Sequence, residues 1–188
     1  MKLEEWLEFF RRYQASKILS FNHLLQLSGM DRAPLRTSLT RLVDRKVIRR
    51  ICRGFYANPF NLPSPEEVSA EIYKPNYLSL EWALSRYGIL SQIPRTLTCV
   101  TPRLPRRFKT PFGIVEYRQV GRKYFFGFRR EKSYWMAEPE KALADFLYLN
   151  RRREIQGFVS ELEFGALDPK KLKAYAKKMR VPLKGILK

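Results

Sequence analysis

Residues 21–58, FNHLLQLSGMDRAPLRTSLTRLVDRKVIRRICRGFYAN, set helix-stop signals between short apolar runs, and that spacing restricts the folds open to this chain. Asn22 suits the cap of a helix carrying Leu24, Leu25 and Leu27, and Gly29 supplies its stop. Asp31 suits the cap of the next helix. Pro34 fits there only within the first turn, where backbone amides lack intrahelical partners. That helix runs to about Arg45, with Leu35, Leu39, Leu42 and Val43 at inward spacing. Val47–Arg53 and Phe55–Asn58 then read as strands around an Arg53–Gly54 turn. Upstream, Ile18–Phe21 is a short strand, and residues 3–14 are a helix with Leu3, Trp6, Leu7, Phe10 and Tyr13 on its apolar side. Helix, tight turn, helix and hairpin in this order predict a winged helix-turn-helix, which seats its second helix in a DNA groove.

The second helix sorts its own residues. With the leucines inward, Thr37, Thr40, Arg41 and Asp44 point away, and Arg36 and Arg45 flank that face. Arginine can bridge two acceptors of guanine, and threonine can meet a thymine methyl or a phosphate. The expected base readers are therefore Arg36, Thr37, Thr40 and Arg41. Arg32, Arg45, Arg49, Arg50 and Arg53 are expected to hold backbone phosphates or to lie on the wing, orienting the duplex without specifying sequence. Asp44 opposes phosphate and is expected at the helix end away from the groove floor.

Charge points to the same partner. The chain has 37 Lys and Arg against 18 Asp and Glu, a formal net charge of +19. The excess is distributed: residues 1–60 carry +7, residues 95–132 carry +9 and residues 169–188 carry +8. Such a chain releases counterions on binding a polyanion, although the same charge also serves solubility or an RNA-coating surface. A hydrophobic content of 45% with 14% aromatics supports packed cores and argues against disorder. Two cysteines, Cys52 and Cys99, both in expected strands, fit a reducing cytoplasm. The only histidine is His23, so no metal-ligand spacing exists, and no cofactor motif appears. Acidic residues and an early Trp interrupt MKLEEWLEFFRRYQ where a signal peptide needs an apolar run, and no apolar stretch could span a membrane. No Gly-rich phosphate loop or Ser/His/Asp set appears either, so no enzyme is expected.

Residues 1–60 therefore form the expected DNA-binding domain, 61–72 a proline-punctuated linker and 73–188 a second domain, an α+β fold overall. Beyond the linker, helices are expected over Ser79–Tyr87, stopped by Gly88, over Glu138–Asn150 with Pro139 near its start, and over 154–163. Strands are expected over 95–101, 112–120 and 123–129, with the basic sequence PRLPRRFKTP as a connecting loop. These make a small mixed or antiparallel sheet flanked by helices. Asp168, Pro169 and the Leu167/Leu172 staple mark the start of a last helix. Glu138–Lys141 reads as a helix start rather than a catalytic set, with Leu143, Phe146, Leu147 and Leu149 buried. A secondary basic surface is expected from Arg103, Arg106, Arg107 and Lys109 together with Lys170, Lys171, Lys173 and Lys177.

A series of phrases in order resembles the AbiEi-type antitoxins of type IV toxin–antitoxin systems. They begin with Ile48-Arg49-Arg50-Ile51-Cys52-Arg53-Gly54-Phe55-Tyr56-Ala57. They continue with Tyr77-Leu78-Ser79, Ala83-Leu84, Gly88-Ile89, Gln92-Ile93-Pro94, Thr98-Cys99-Val100-Thr101, Thr110-Pro111-Phe112-Gly113 and Phe125-Phe126-Gly127-Phe128. The most specific is Ala137-Glu138-Pro139-Glu140-Lys141-Ala142-Leu143-Ala144-Asp145-Phe146-Leu147-Tyr148-Leu149, and the set covers about residues 20–150. Val47 departs from the pattern, because relatives often place Gly after the recognition helix, and this leaves the geometry of that helix end open. The resemblance implies an autorepressor that binds inverted repeats in its own promoter through a winged helix. It also implies a C-terminal antitoxin domain that counters a nucleotidyltransferase-like toxin, without a stable complex between them. The rival expectation is a winged-helix module that binds DNA or RNA, or docks a toxin, with no antitoxin role.

Overall fold

The computed structural model describes residues 1–151 and 161–183. The chain is α+β, with seven α-helices and two sheets among the described residues. Six elements open it: α1 (Leu3–Arg12), β1 (Ile18–Ser20), α2 (Phe21–Ser28), α3 (Arg32–Asp44), β2 (Arg49–Cys52) and β3 (Phe55–Ala57). On α1 the buried side chains are Trp6, Phe9 and Phe10, while Leu3 is exposed. The stripe is thus turned toward Phe9, because the three aromatics pack on one another, Trp6 stacking on Phe10 with centroids 5.7 Å apart. Ser20, not Asn22, caps α2 by accepting from the His23 amide, so the helix starts as soon as the strand ends. Gly29 closes α2 in the left-handed region (φ 64°).

Asp31 stands at the N-cap of α3 but its side chain accepts no capping bond. Leu35, Leu39 and Leu42 are buried against α1 and Leu24, and Val43 is half-buried. The residue in left-handed conformation after α3 is Lys46 (φ 59°), so Val47 needs no glycine. Strands β1, β3 and β2 form an antiparallel sheet in that order, with a bulge between Arg50 and Cys52. Asn58 ties the end of the hairpin to α1, donating to the carbonyls of Phe10 (2.9 Å) and Tyr13 (3.0 Å).

The expected linker, residues 61–72, holds a helix, α4 (Pro65–Ile72), whose Val68, Ser69 and Ile72 are buried. Its start has a complete capping box between Ser64 and Glu67, with Pro65 in the first turn. Those prolines mark a helix entry, not an extended tether. Glu67 also accepts from Lys17 (2.8 Å) and Ser133 (3.0 Å), joining the two halves of the chain. Burial alone would raise its carboxyl. The Lys17, Ser64 and Ser133 bonds instead hold it below the usual range.

The second half adds β4 (Tyr77–Leu78), α5 (Leu80–Arg86), β5 (Thr96–Thr101), β6 (Arg106–Thr110), β7 (Gly113–Gln119), β8 (Phe128–Glu131), β9 (Tyr134–Ala137), α6 (Pro139–Leu149) and α7 (Pro169–Met179). Their six-stranded mixed sheet has the order β6-β7-β5-β4-β9-β8, with β5–β7 and β4–β9 parallel. Two expectations change. The basic stretch at 102–111 is not a plain loop, because it contains β6, which pairs with β7 from Arg106↔Tyr117 to Thr110↔Gly113. Its alternate residues Arg106 and Phe108 share a face with Tyr117 and Val115, a period-two pattern hidden by the charges. The expected strand over 123–129 is a 3-10 turn at Arg122–Tyr124, followed by the start of β8. The helix expected over 154–163 lies outside the described residues up to 160, and Leu162 bridges to Leu90.

The two halves share apolar surface. Tyr56 belongs to the first core, whereas Ile51 and Ala57 belong to the second, so the β2–β3 hairpin is wedged between them. Strand β2 lies beside β6, placing an edge of one sheet next to an edge of the other.

Candidate nucleic-acid interface

The groove between α3, the start of α2 and the hairpin turn has a volume of about 660 Å³. Its lining includes Arg36 and Thr40 from α3, Arg50 and Arg53 from the hairpin, and Ser20, Phe21 and Asn22 from the beginning of α2. No carboxylate lines it. The positive end of the α2 dipole adds to three guanidinium charges, so the groove favours an anion. Its shape follows from local structure. Arg36 and Thr40 are one turn apart on α3, and Arg50 faces them because it pairs with Tyr56, whose ring points into the first core. Gly54 (φ 83°) makes the turn, and its carbonyl accepts from the Phe21 amide at 2.8 Å, clamping the hairpin tip to α2.

All nine residues expected to touch DNA are exposed: Arg32, Arg36, Thr37, Thr40, Arg41, Arg45, Arg49, Arg50 and Arg53. The groove gathers four of them, Arg36, Thr40, Arg50 and Arg53. Thr37 and Arg41 stand on the other shoulder of α3, ~100° and ~140° round the helix from Arg36 at 3.6 residues per turn. Arg32 turns toward α2, its guanidinium 3.5 Å from the Asn22 side-chain oxygen and over the Phe21 ring. Arg45 caps the end of α3, and Asp44, the last residue of that helix, does not line the groove. Arg49 pairs with Ala57 and so lies on the sheet face turned toward the second core. Among the described residues none of these seven arginines is ion-paired. The Thr37 and Thr40 hydroxyls donate to their own helix, at Ala33 (3.2 Å) and Arg36 (3.0 Å), which leaves their oxygens free to accept.

The secondary basic residues divide. Arg103 and Arg106 both lie over the Tyr73 ring, at 4.1 and 5.3 Å, and Arg107 and Lys109 are exposed on β6. Lys170, Lys173 and Lys177 are exposed on α7. Lys171 belongs to a different group: it bonds Glu138 at 3.0 Å and approaches Glu140 at 3.8 Å, docking α7 on the start of α6. Its charge is already matched. Tyr175 donates to Glu138 in the same joint, and the Asp168 amide donates to Glu140.

A polar group that spacing did not reveal sits inside the second core. Lys141, Asp145, Tyr77 and Ser79 are all 0% exposed. Asp145 accepts from Lys141, from Tyr77 (2.9 Å) and from Ser79 (2.8 Å), and Lys141 also donates to the Tyr77 oxygen (2.9 Å). Burial pushes the Asp145 carboxyl up and the Lys141 ammonium down, in each case against the attraction of its partner. The i,i+4 placement of Lys141 and Asp145 on α6 was the available signal. Spacing alone does not say that this pair faces the core, because its hydroxyl partners come from β4 and the residue after it. Leu149, expected inside, is only half-buried.

Neither cysteine is activated: burial pushes the Cys52 thiol up despite nearby Arg50, and pushes Cys99 up to about 12. Among the described residues no group of His, Cys, Asp and Glu could hold a metal ion, and no helix is long and apolar enough to cross a membrane. No protein-family model matches the chain, and no curated protein sequence matches it.

Proposed function

We propose that residues 1–60 act as a winged helix-turn-helix on duplex DNA, with α3 in the major groove and the β2–β3 hairpin as the wing. The observation that carries this reading is the groove lined by Arg36, Thr40, Arg50 and Arg53 without a carboxylate. At 13 residues α3 is about 20 Å long, and its outer face fits a groove ~12 Å wide. Arg36 and Thr40, with Thr37 and Arg41 on the opposite shoulder, read base edges. Arg50 and Arg53 hold the flanking phosphates from the wing, as do Arg32, Arg45 and Arg49 at the margins.

On this reading, and on the ordered phrases from Ile48 to Leu149, the chain is a cytoplasmic antitoxin and transcriptional autorepressor. It binds inverted repeats in its operon promoter and counters a nucleotidyltransferase-like toxin. It uses no cofactor and performs no catalysis. Competition binding among a promoter duplex, a random duplex and a structured RNA tests the nucleic-acid claim. Preference for the promoter duplex at moderate salt supports it, and equal affinity for all three overturns it. Co-expression with the adjacent gene product tests the antitoxin claim: growth is restored if it holds, and toxicity is undiminished if it fails.

A further inference from the structure

We infer that the nucleic-acid surface continues past the hairpin onto the edge of the six-stranded sheet, where Arg103, Arg106, Arg107 and Lys109 grip the backbone of the same duplex. The inference rests on the duplex-binding reading of α3 and extends it into the second domain. Three observations carry it. First, β6 is an edge strand, and it lies beside β2, the edge strand of the smaller sheet that carries Arg49 and Arg50. The wedged hairpin fixes this relation, since Ile51 and Ala57 are buried in the second core. On this inference a duplex seated against Arg50 and Arg53 extends along β2 onto β6.

Second, β6 carries cations on both of its faces. Arg106 shares a face with Tyr117, and Arg107 and Lys109 lie opposite Glu116 and Ile114 on the other. Arg106, Arg107 and Lys109 are exposed and form no ion pair among the described residues. Third, Tyr73 and the Lys74 carbonyl hold arginines of this stretch in place. The buried Tyr73 ring carries the Arg103 and Arg106 guanidiniums on its surface, and its hydroxyl donates to the Leu104 carbonyl at 3.0 Å. Arg103 is fixed further by donating to the Lys74 carbonyl at 2.8 Å. Each guanidinium keeps donors free of any ion pair among the described residues, and a guanidinium is suited to a phosphate oxygen.

The contacts are to backbone, so they add affinity and salt dependence without sequence preference. The test measures affinity for a 30-base-pair random duplex between 50 and 200 mM salt, with wild type and the Arg106→Gln/Arg107→Gln/Lys109→Gln variant. At a slope of about 0.9 per phosphate, three contacts make wild-type affinity fall ~40-fold more than that of the variant over this range. Arg107→Gln alone, at a side chain with no hydrogen bond to a described residue, removes ~3.5-fold of that fall and guards against misfolding in the triple variant. Replacement by lysine at positions 106 and 107 preserves the salt dependence. Equal salt dependence in wild type and both Gln variants overturns the inference, as does a loss confined to structured RNA. Arg36→Ala separates the two levels. If it weakens duplex binding while the β6 variants do not, only the extension fails; if it too has no effect, the reading of α3 fails with it.

Discussion

Replacing Asp145 by leucine strands the Lys141 ammonium inside the second core. The ammonium is 0% exposed and retains only the Tyr77 oxygen and the rings of Tyr77 and Phe126 at 5.3 and 4.9 Å. Removing one partner of a buried pair costs about 3–5 kcal/mol, and here the Tyr77 and Ser79 hydroxyls lose their acceptor as well. Lys141→Met is milder, at about 3 kcal/mol, because the remaining carboxyl keeps both hydroxyl donors and is already pushed toward its neutral form by burial. The double replacement removes both desolvated charges. It leaves two hydroxyls to satisfy and should lie within about 2 kcal/mol of wild type. Urea unfolding followed by tryptophan fluorescence measures this, since Trp82 packs against the second core and Trp6 belongs to the first. The pair also has a pH signature. The folded carboxyl sits above its ordinary 3.8, so the folded state binds the extra proton and stability from this group declines as pH rises through that window. The folded ammonium sits below its ordinary 10.5, so stability recovers as pH approaches that value. A double variant that loses the sum of the two single losses would refute the reasoning, because the cost would then not come from an unmatched buried charge.

Gly127→Ala should destabilise by about 1–3 kcal/mol in the same urea titration, because its φ is 71° and a Cβ would lie 3.1 Å from Lys141 Cδ and Cγ. Glu67→Gln should lower the melting temperature at neutral pH through loss of the Lys17 ion pair, while the capping bond from the Glu67 amide to Ser64 persists. The wild-type carboxyl is held below its ordinary 4.5, so its stabilisation is present above that pH and fades as pH falls through the folded value. The variant's deficit relative to wild type should therefore shrink on acidification, read as melting temperature against pH. Lys171→Met should loosen α7, seen as faster amide exchange in Pro169–Met179, while duplex affinity changes less than in Lys173→Ala.

Much of the N-terminal half was legible because its signals are local: Gly29 at a helix end, Pro34 inside a first turn, Gly54 in a hairpin, and leucines at 3.6-residue spacing. The groove lining was legible only in part. Exposure on α3 follows from the wheel, but the facing of Arg36 and Thr40 with Arg50 and Arg53 depends on a hairpin packed from the far side by another core. Long-range packing also explains what the sequence hid. The prolines before α4 resembled a linker because a capping box and Pro in the first helical turn use the residues that linkers use. Charges masked the alternation in β6, an edge strand with only one paired side. The burial of Lys141 and Asp145 was not legible, because only the tertiary fold brings Tyr77 and Ser79 to them.

Selection from a randomised duplex pool, followed by affinity measurements on single-base variants of the enriched sequence, tests the central claim most directly. The α3 groove predicts an enriched motif for the wild-type chain. For Arg36→Ala it predicts loss of about 1–3 kcal/mol of discrimination at one base position, with the other positions retained. An Arg36→Ala chain that enriches the same motif with the same preference at every position would contradict it.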